Sequence, residues 1–453
     1  MDVPANEARK TGFSRVLAIF TDTFGLSPVG AFVAFIVISG VFLFALFWFF
    51  HSAPPNTITI TSGTPGSAFE TNAIKYGKIL ARNGVRLKIL SSQGSLENLQ
   101  RLNDPRLRVD IGFVQGGVTN STSKRKLVSL GSVSYQPLVV FYRGDESLGL
   151  LSELAGKKLA IGPPGSGTHT LALGLLQLNG IQSGGSSSFV DLDADEAAKA
   201  LLDGTVDAVF LMGDSASRQV MRELLRSPGI QILDFTQADA YVRRIPYLNK
   251  LLLPKGAIDF AKNIPDHDVS LIGPTVELLA RADLHPAISD LLLEAAQEVH
   301  GGANLLQRKG EFPAAVEHDF PISTEAVRYY KSGKSFFYRS LPFRLASLMN
   351  RILVSFVPII VLMIPALRVI PPVFRLRVKL NIYRWYRALL ALEREHMADM
   401  TPEKKEQLLA RLNHIEQEVN KIKVPASFAD QFYALRGDIG FVRGRLAGNK
   451  ASA

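Results

Sequence analysis

The stretch TITITSGTPGSAFETNAIKYGKILARNG at residues 57–84 decides the fold, because it contains a strand, a loop and a helix in immediate succession. The β-branched run TITIT predicts a strand, and the apolar side chains after Ser67 recur at helical spacing. The loop SGTPGS joins the two through glycine-containing turns. This unit predicts the start of a domain in which strands and helices alternate.

The same unit occurs twice more. Residues 86–102 read RLKIL, SSQGS and LENLQRL, and residues 158–179 read KLAI, GPPGSGTHT and LALGLLQLN. Alternating strands and helices imply parallel sheets, whose loops gather at the carboxyl ends of the strands. One such loop alone is a tight turn that starts a helix, but three Ser/Thr-rich loops together favour an anion site built from N–H groups and hydroxyls. The loops contain no Lys or Arg, which suits a single carboxylate better than a polyphosphate.

The loop at 162–170 differs from a nucleotide phosphate loop. Gly162 and Gly167 fit the spacing, but Thr168 and His169 stand where Lys and Ser/Thr are required. Further strands are predicted in DIGFVQGGV at 110–118, SYQPLVVFYR at 134–143 and DAVFLMGD at 207–214. Without the phosphate-loop lysine, the acidic end of that last strand does not indicate a magnesium-dependent NTPase.

Composition excludes several classes of function. The 453 residues include no cysteine, so disulfide scaffolds, thiolate metal sites and cysteine nucleophiles are excluded. The net charge is +10, but residues 368–453 alone carry 16 Lys/Arg against 9 Asp/Glu. The basic excess is therefore mainly a property of the tail, and we expect no nucleic-acid partner.

Two apolar stretches predict transmembrane helices. Residues 28–50 contain no charge, and 23 residues are enough to cross the hydrocarbon core as a retained anchor rather than a cleaved signal peptide. A second stretch at 352–367 is shorter and contains Pro358 and Pro365, so the alternative is a buried or interfacial helix. Arg351 and Arg368 flank the stretch 352–367, and we place the second span, completed by a few residues on each side, at 349–370.

The positions of basic residues predict the orientation. Arg9, Lys10 and Arg15 precede the first span, and Arg368, Arg375 and further arginines follow the second. Because basic residues favour the cytoplasmic side, both termini are expected in the cytoplasm of a bacterium and the intervening domain in the periplasm, anchored to the inner membrane.

These motifs also resemble a known family. TSGTPGSAFETNAIKYGKILARNG, SSQGSLENLQRL and DIGFVQGGV, followed by LAGKKLAIGPPGSGTHTLA, DAVFLMGDSASRQVMREL and TVELLARADLHPAISDLLLEAA, resemble the TAXI-type solute receptors of TRAP (tripartite ATP-independent periplasmic) transporters. The resemblance extends from about residue 57 to about 343. It implies an α/β fold with a two-lobed periplasmic-binding-protein (Venus flytrap) domain that closes on a small carboxylate or acidic amino acid.

With the flanking segments, this gives the expected architecture: a binding domain between two transmembrane helices, followed by a C-terminal α-helical tail. The expected boundaries are a cytoplasmic N-terminus at 1–27, a first span at 28–50, a binding domain at 52–343, a second span at 349–370 and a cytoplasmic tail at 371–453. Within the binding domain, lobe 1 is expected at about 52–142 and 266–343, and lobe 2 at about 143–265.

The resemblance also implies which residues contact the solute. They are expected to donate hydrogen bonds to carboxylate oxygens, with glycines allowing close approach of the backbone. Phe69 would form a wall of the pocket, the alternative being ordinary helix packing. The full set is Ser62, Gly63, Gly66, Ser67, Phe69, Gln93, Ser95, Gln115, Gly165, Ser166, Thr168 and Gly213.

Two hypotheses for function follow. In the first, the chain delivers solute to a TRAP-type permease, since no segment resembles the permease itself. In the second, it is a sensor that signals through the second span to a cytoplasmic partner of the tail. We expect no enzymatic activity, cofactor or metal, because there is no Gly-x-Ser-x-Gly motif and His169, His267, His285, His300 and His318 lack metal-ligand spacing.

The tail contains a heptad pattern. Its seam is Leu408, Leu412, Ile415, Val419 and Ile422, after Thr401-Pro402 as a helix start, with a preceding helix at 378–397 and a third at 427–446. The pattern fits a coiled coil with a partner or a second copy, and it equally fits a self-packed hairpin near the lipid headgroups.

Overall fold

The computed structural model describes residues 28–118, 127–316, 319–334, 336–396, 402–421 and 428–447. The chain divides into two compact units, one comprising Ala53–Asn350 and the other comprising the segments before and after it. The strands are β1 (Thr57–Thr61), β2 (Arg86–Leu90), β3 (Ile111–Gln115), β4 (Leu127–Tyr135), β5 (Val139–Arg143), β6 (Lys158–Ala160), β7 (Ser188–Val190), β8 (Ala208–Leu211), β9 (Ile230–Ile232), β10 (Leu248–Leu253) and β11 (Val269–Arg281).

The helices are α1 (Pro28–His51), α2 (Ala68–Arg82), α3 (Ser95–Asn103), α4 (Gly167–Leu178), α5 (Ala194–Leu202), α6 (Arg218–Arg226), α7 (Ala238–Arg244), α8 (Pro286–His300), α9 (Thr324–Ser332), α10 (Phe336–Ser340), α11 (Phe343–His396), α12 (Pro402–Asn420) and α13 (Ala429–Ala447).

The first sheet has the order β10-β11-β3-β1-β2, and β4 also pairs with β11. β1 is parallel to β2 and β3, whereas the long strand β11 is antiparallel to β3, β4 and β10. The parallel strands place the loop after β1 and the loop after β2 at one edge of the sheet. These are two of the three loops that the sequence singles out.

The second sheet has the order β7-β6-β8-β5-β9. β6 is parallel to β7 and β8, so the loop at 162–170 and the loop after β8 share one edge. Alternate residues of β5 and β8 enter two different hydrophobic clusters, with Phe210 in one and Phe141 and Leu211 in the other. Both faces of this sheet are therefore covered, which explains the continuous apolar runs in its strands. The two sheets form the two-lobed periplasmic-binding-protein fold, and that prediction is confirmed.

The chain changes lobe earlier than the sequence suggests. β5 belongs to the second sheet and β10 to the first, so the crossings lie at about 136–138 and 245–247 rather than at 142 and 265. Both crossings run beside β11: Leu138 forms a bridge with Ile272, and Leu248 pairs with Pro274. The crossings read QPL at 136–138 and IPY at 245–247, so a single proline is the only turn signal at either position.

The core of lobe 1 lies between its sheet and helices α2 and α8. Ile60, Leu80 and Leu292 are fully buried there, and the ring of Tyr76 meets the ring of Phe113 edge to face at 5.5 Å between centroids. α2 begins where Ser67 accepts a hydrogen bond from the Glu70 N–H (3.2 Å), so the helix start is capped by the loop itself.

Two helices are long and apolar enough to cross a membrane, by length and composition: Phe32–His51 within α1, and Phe343–Pro365 within α11. α11 is one continuous helix of 54 residues, whereas the sequence suggests a span and then a separate helix at 378–397. The helix therefore passes through Pro358, Pro365, Pro371 and Pro372 without ending.

The tail packs on itself. Leu408, Leu412, Ile415 and Val419 of the heptad seam are buried in one cluster, together with Ile382 and Leu389 of α11 and side chains of α13. Ile422 and Thr401 lie outside the described residues. The self-packed arrangement thus accounts for the seam, and the third predicted helix corresponds to α13.

Candidate functional site

The candidate site lies where the loops of the two sheets meet. Loop 61–67 and the start of α3 come from lobe 1, and loop 162–168 and loop 212–217 come from lobe 2. Ser166 caps α4 by accepting a hydrogen bond from the His169 N–H (3.0 Å), and Ser217 caps α6 in the same way. Several helix N-termini, each carrying partial positive charge, are thus gathered at one cleft.

Direct hydrogen bonds close this cleft. The Glu97 N–H donates to the Gly165 carbonyl (2.9 Å), and the Ala68 N–H donates to the Gly213 carbonyl (2.9 Å). The Thr64 hydroxyl donates to the Ser215 carbonyl (3.0 Å). Each bond joins one lobe to the other, so the structure shows the closed state of the domain.

Two glycines allow this close approach. A Cβ atom added to Gly63 would lie 2.5 Å from the Asp214 carbonyl oxygen, and one added to Gly94 would lie 2.5 Å from Asp214 Oδ2. Gly94 also has a φ of 132°, a conformation that other residues rarely adopt. Larger side chains at either position would keep the lobes apart.

The centre of the cleft is the carboxylate of Asp214, which is fully buried. Its Oδ2 accepts hydrogen bonds from the Gly167 N–H (2.6 Å) and, from the other lobe, the Ser95 N–H (3.4 Å). Its Oδ1 accepts from the hydroxyls of Thr168 (2.9 Å) and Ser215 (3.1 Å). The loops therefore form a carboxylate cradle, made of the first N–H groups of α3 and α4 and two hydroxyls.

Two opposing effects act on the Asp214 carboxyl. Burial raises its pKa above the ordinary value, and the hydrogen bonds from Gly167, Thr168, Ser95 and Ser215 lower it, with burial the larger effect. The cradle thus compensates part, but not all, of the loss of hydration.

Gln115, at the end of β3, is a further buried polar side chain of the cleft. It is 2% exposed, its Nε2 donates to the Gly167 carbonyl (3.0 Å), and its backbone N–H donates to Ser95 Oγ (3.2 Å). Its Oε1 has no hydrogen-bond partner among the residues that the structure describes. A buried acceptor without a donor is costly, so this oxygen marks a place that suits a donor group from a ligand.

The structure brings most of the predicted residues to this cleft. Ser95, Gln115, Gly165, Thr168 and Gly213 lie at the contact between the lobes, and Gly63 approaches the Asp214 backbone. Ser62, Ser67 and Ser166 are buried beside it, but their hydroxyls bond within their own lobe.

Three predicted residues lie outside the cradle around Asp214. Two of them still border the contact between the lobes, because a Cβ added to Gly165 would lie 3.4 Å from Gln93 Cβ, and one added to Gly66 would lie 3.4 Å from Ser217 Cβ. Phe69 is in the core of lobe 1, where its ring packs against Phe113 at 5.5 Å, so its helix-packing alternative describes its position. Gln93 is exposed, and its backbone N–H donates to Glu97 Oε2 (2.6 Å). The Gly66 N–H donates to the exposed carboxylate of Glu70 (2.6 Å).

Sequence reasoning missed Asp214, Asn98 and Gln136. Asn98 donates to the carbonyls of Ser62 and Phe113 and accepts from Ser92 Oγ (2.7 Å). These bonds hold α3 against β3 and against the loops that follow β1 and β2. The amide of Gln136, with its oxygen turned toward the loop, accepts from the Gly213 and Asp214 N–H groups (2.7 and 2.5 Å). The available signal for Asp214 was its position directly after Gly213 at a strand end.

Within the described ranges, no three His, Asp or Glu side chains are placed to hold a metal ion. His169 lies 3.4 Å from Asp191, and His300 is buried in the lobe 1 core, where burial lowers its pKa to about 3. His318 falls outside the described residues.

The chain matches one known protein family and is similar to several solved structures. The sequence profile of the NMT1-like family matches residues 68–332. Among solved structures, the chain is similar to the periplasmic aliphatic sulphonate binding protein SsuA from Escherichia coli, at 16% identity and a TM-score of 0.35, covering 66% of this chain and 84% of that one. It is also similar to an ancestral arginine-binding protein bound to arginine, at 15% identity and a TM-score of 0.35, covering 54% of this chain and 92% of that one. A third similar structure is the regulatory domain of CcmR from Synechocystis PCC6803 in complex with 2-PG, at 14% identity and a TM-score of 0.36, covering 54% of this chain and 98% of that one.

Proposed function

Because this chain belongs to the NMT1-like family and helix N-termini from both lobes converge on one carboxylate, we propose that its two-lobed domain is a receptor for a small carboxylate. The solute's carboxylate would accept from the N–H groups of Ser95 and Gly167 and from the Thr168 hydroxyl, the donors that Asp214 engages in the closed state. That convergence is the observation that carries the proposal.

The unpaired oxygen of Gln115 narrows the solute class. A hydroxyl or ammonium group near the carboxylate would supply the donor that Oε1 lacks among the described residues. Hydroxy acids and amino acids, acidic amino acids included, are therefore favoured over simple carboxylates.

We test this with full-length protein in detergent, measuring its melting temperature against acetate, glycolate, glycine, glutamate and neutral amides. A solute at 100 times Kd adds about 2.7 kcal/mol to the free energy of unfolding, a rise of several degrees. Glycolate is expected to raise the melting temperature more than acetate does. The Gln115→Leu substitution is expected to abolish that difference. Absence of any shift with every acid would contradict the proposal.

Two neighbouring threonines provide a matched control. The Thr168 hydroxyl bonds to the cleft carboxylate, whereas the Thr170 hydroxyl donates to the Ser166 carbonyl in its own helix (3.2 Å). Thr168→Val is expected to weaken carboxylate binding about tenfold or more, because a hydrogen bond to a charged group is lost. Thr170→Val should leave Kd within about twofold, since this hydroxyl lies outside the cradle. Equal effects would mean that the carboxylate binds elsewhere.

We assign the two apolar helices to membrane anchors, the binding domain to the periplasm, and both termini to the cytoplasm. The length and composition of both helices and the basic residues beside them support this assignment. The partner would be a TRAP-type permease that receives the solute. Crosslinking in membranes should capture a polytopic membrane protein whose contact with the chain depends on the solute.

A second candidate function is solute sensing. It is favoured by α11, which continues without a break from the apolar span into the basic helical tail. A sensor predicts that solute alters amide hydrogen exchange of α12 and α13 in the full chain. Solute binding with unchanged exchange in these helices would favour delivery.

A further inference from the structure

Resting on the proposed function, we infer that the Asp214 carboxylate is a built-in occupant of the solute's carboxylate position and closes the cleft before any solute arrives. In this role Asp214 acts as a tethered competitor, and a solute must displace it. Nothing in the family match or in the fold assigns this role.

The donors around Asp214 are those expected for a bound anion. It accepts from two helix N-termini on opposite lobes and from two hydroxyls. It is not the N-cap of either helix: Ser166 caps α4, and Gly94 precedes α3. Asp214 thus reaches the start of α4 from a loop 47 residues away along the chain, as a bound ligand would.

The unpaired Gln115 Oε1 is an independent mark of a ligand site. It belongs to a side chain that is 2% exposed and whose Nε2 bonds to Gly167, the residue that donates to Asp214. Asp214 supplies a carboxylate but no donor for this acceptor. The Asp214 side chain therefore occupies the carboxylate donors of the closed cleft but leaves Gln115 Oε1 without a donor.

This incomplete match makes the occupant displaceable. Burial raises the pKa of Asp214 despite its hydrogen bonds, so the ionised side chain is less well solvated in the cleft than in water. When the cleft opens, Asp214 regains water, and a solute with both a carboxylate and a donor occupies the cradle more completely.

Removing the side chain should create a site for free carboxylate. In the full chain in detergent, Asp214→Ala leaves the N–H groups of Gly167 and Ser95 without their acceptor and the Thr168 hydroxyl with only the Ser215 hydroxyl as partner. Acetate, which supplies the deleted carboxylate, should raise the melting temperature of this variant by about 2–4 °C or more at saturation. Acetamide and sodium chloride should not, and wild-type protein should respond much less to acetate.

Asp110→Ala is the matched control. The Asp110 carboxylate is also partly buried and accepts from a backbone N–H, that of Thr59 (2.7 Å), but within lobe 1 and away from the cleft. This variant should lose stability without gaining a response to acetate.

Closure is measured directly by distance. The chain has no cysteine, so Gln100→Cys on α3 and Gln177→Cys on α4, both at exposed positions in opposite lobes, give unique spin-label sites. Wild-type protein without solute should show the short distance of the closed state. Asp214→Ala should show longer distances that return to the short one with acetate.

The outcomes separate this inference from the proposed function. An Asp214→Ala chain that ignores acetate, or that keeps the wild-type distance without it, overturns the inference. If this variant is rescued but the wild-type protein binds no acid of the panel, the inference stands and the proposed solute class falls. Should Asp214→Ala fail to accumulate, Thr168→Val removes one donor to Asp214 and is expected to enlarge the open population. An unchanged distance in that variant would likewise overturn the inference.

Discussion

A single methyl group at Gly63 should hold the lobes apart. Gly63 belongs to lobe 1, and an added Cβ would lie 2.5 Å from the Asp214 carbonyl oxygen of lobe 2 and 2.6 Å from Ser67 Oγ. The carbonyl is backbone and cannot rotate away as a side chain does. Gly63→Ala is therefore expected to act mainly on closure, with a smaller effect on the cap of α2.

The size of the effect follows from the bonds beside Gly63. Separating the lobes there stretches the bond from the Ala68 N–H to the Gly213 carbonyl and the bond from the Thr64 hydroxyl to the Ser215 carbonyl. At about 0.5–1.5 kcal/mol each, closure weakens by about 1–3 kcal/mol, or roughly 5- to 150-fold. Disturbing the Ser67 cap adds a loss of about 1 kcal/mol in lobe 1.

The assay is the distance between labels at positions 100 and 177 in the full chain, combined with thermal unfolding. Gly63→Ala should move most molecules to longer distances without solute. Gly174→Ala is the control, because this glycine lies in the exposed middle of α4 with no atom within 4 Å of an added Cβ. It should keep the short distance and gain about 0.5–1 kcal/mol from helix propensity. If Gly63→Ala stays closed, the lobe contact inferred at Asp214 is wrong.

Three further outcomes are expected. Burial, with a smaller contribution from the nearby Asp319, raises the pKa of Glu277 to about 7, so its stability contribution is full below about pH 4.5 and is lost as pH rises through 7. Between pH 5 and pH 8, the free energy of unfolding of Glu277→Gln should therefore rise relative to that of the wild type, by up to about 3 kcal/mol as measured by chemical denaturation. A difference between the two proteins that stays constant with pH would contradict this. Leu412→Ala, at a fully buried position, should cost the tail about 2–5 kcal/mol as judged by hydrogen exchange of α12, whereas Leu390→Ala at a 51% exposed position should cost less than about 0.5. Ser166→Ala removes the cap of α4 and should lower the free energy of unfolding by about 1 kcal/mol in thermal denaturation; no loss would mean that the cap is not needed.

The loops that meet between the lobes could be located from the sequence, for a physical reason. A backbone cradle needs short Gly/Ser/Thr turns at helix starts, and such turns leave a visible pattern between a strand and a helix. Loops 61–67, 91–95 and 162–168 all carry that pattern, and they meet in the structure. Phe69 shows the limit, since the same pattern does not reveal which face of α2 is turned to the core.

Asp214 could not be assigned in this way. A carboxylate after a buried strand is also typical of a metal ligand, and its role here depends on donors 46 and 119 positions away in the chain. The lobe crossings were misplaced for a related reason, because β4 and β5 are separated by only three residues, in which Pro137 is the sole turn signal. Contacts between distant segments decide both features.

Because the lobes are joined at two crossings beside β11, the closure of the cleft and the stability of each lobe can change separately during evolution. A rotation of one lobe against the other would act on the chain near 136–138 and 245–247 and on the bonds between β11 and lobe 2, where the Phe235 N–H donates to the Ser270 carbonyl (2.9 Å). Substitutions at the cleft surface can therefore change how long the domain stays shut while each lobe keeps its own stability. A lineage can lengthen or shorten the residence time of a solute, or change its chemical preference, without rebuilding the scaffold that presents it.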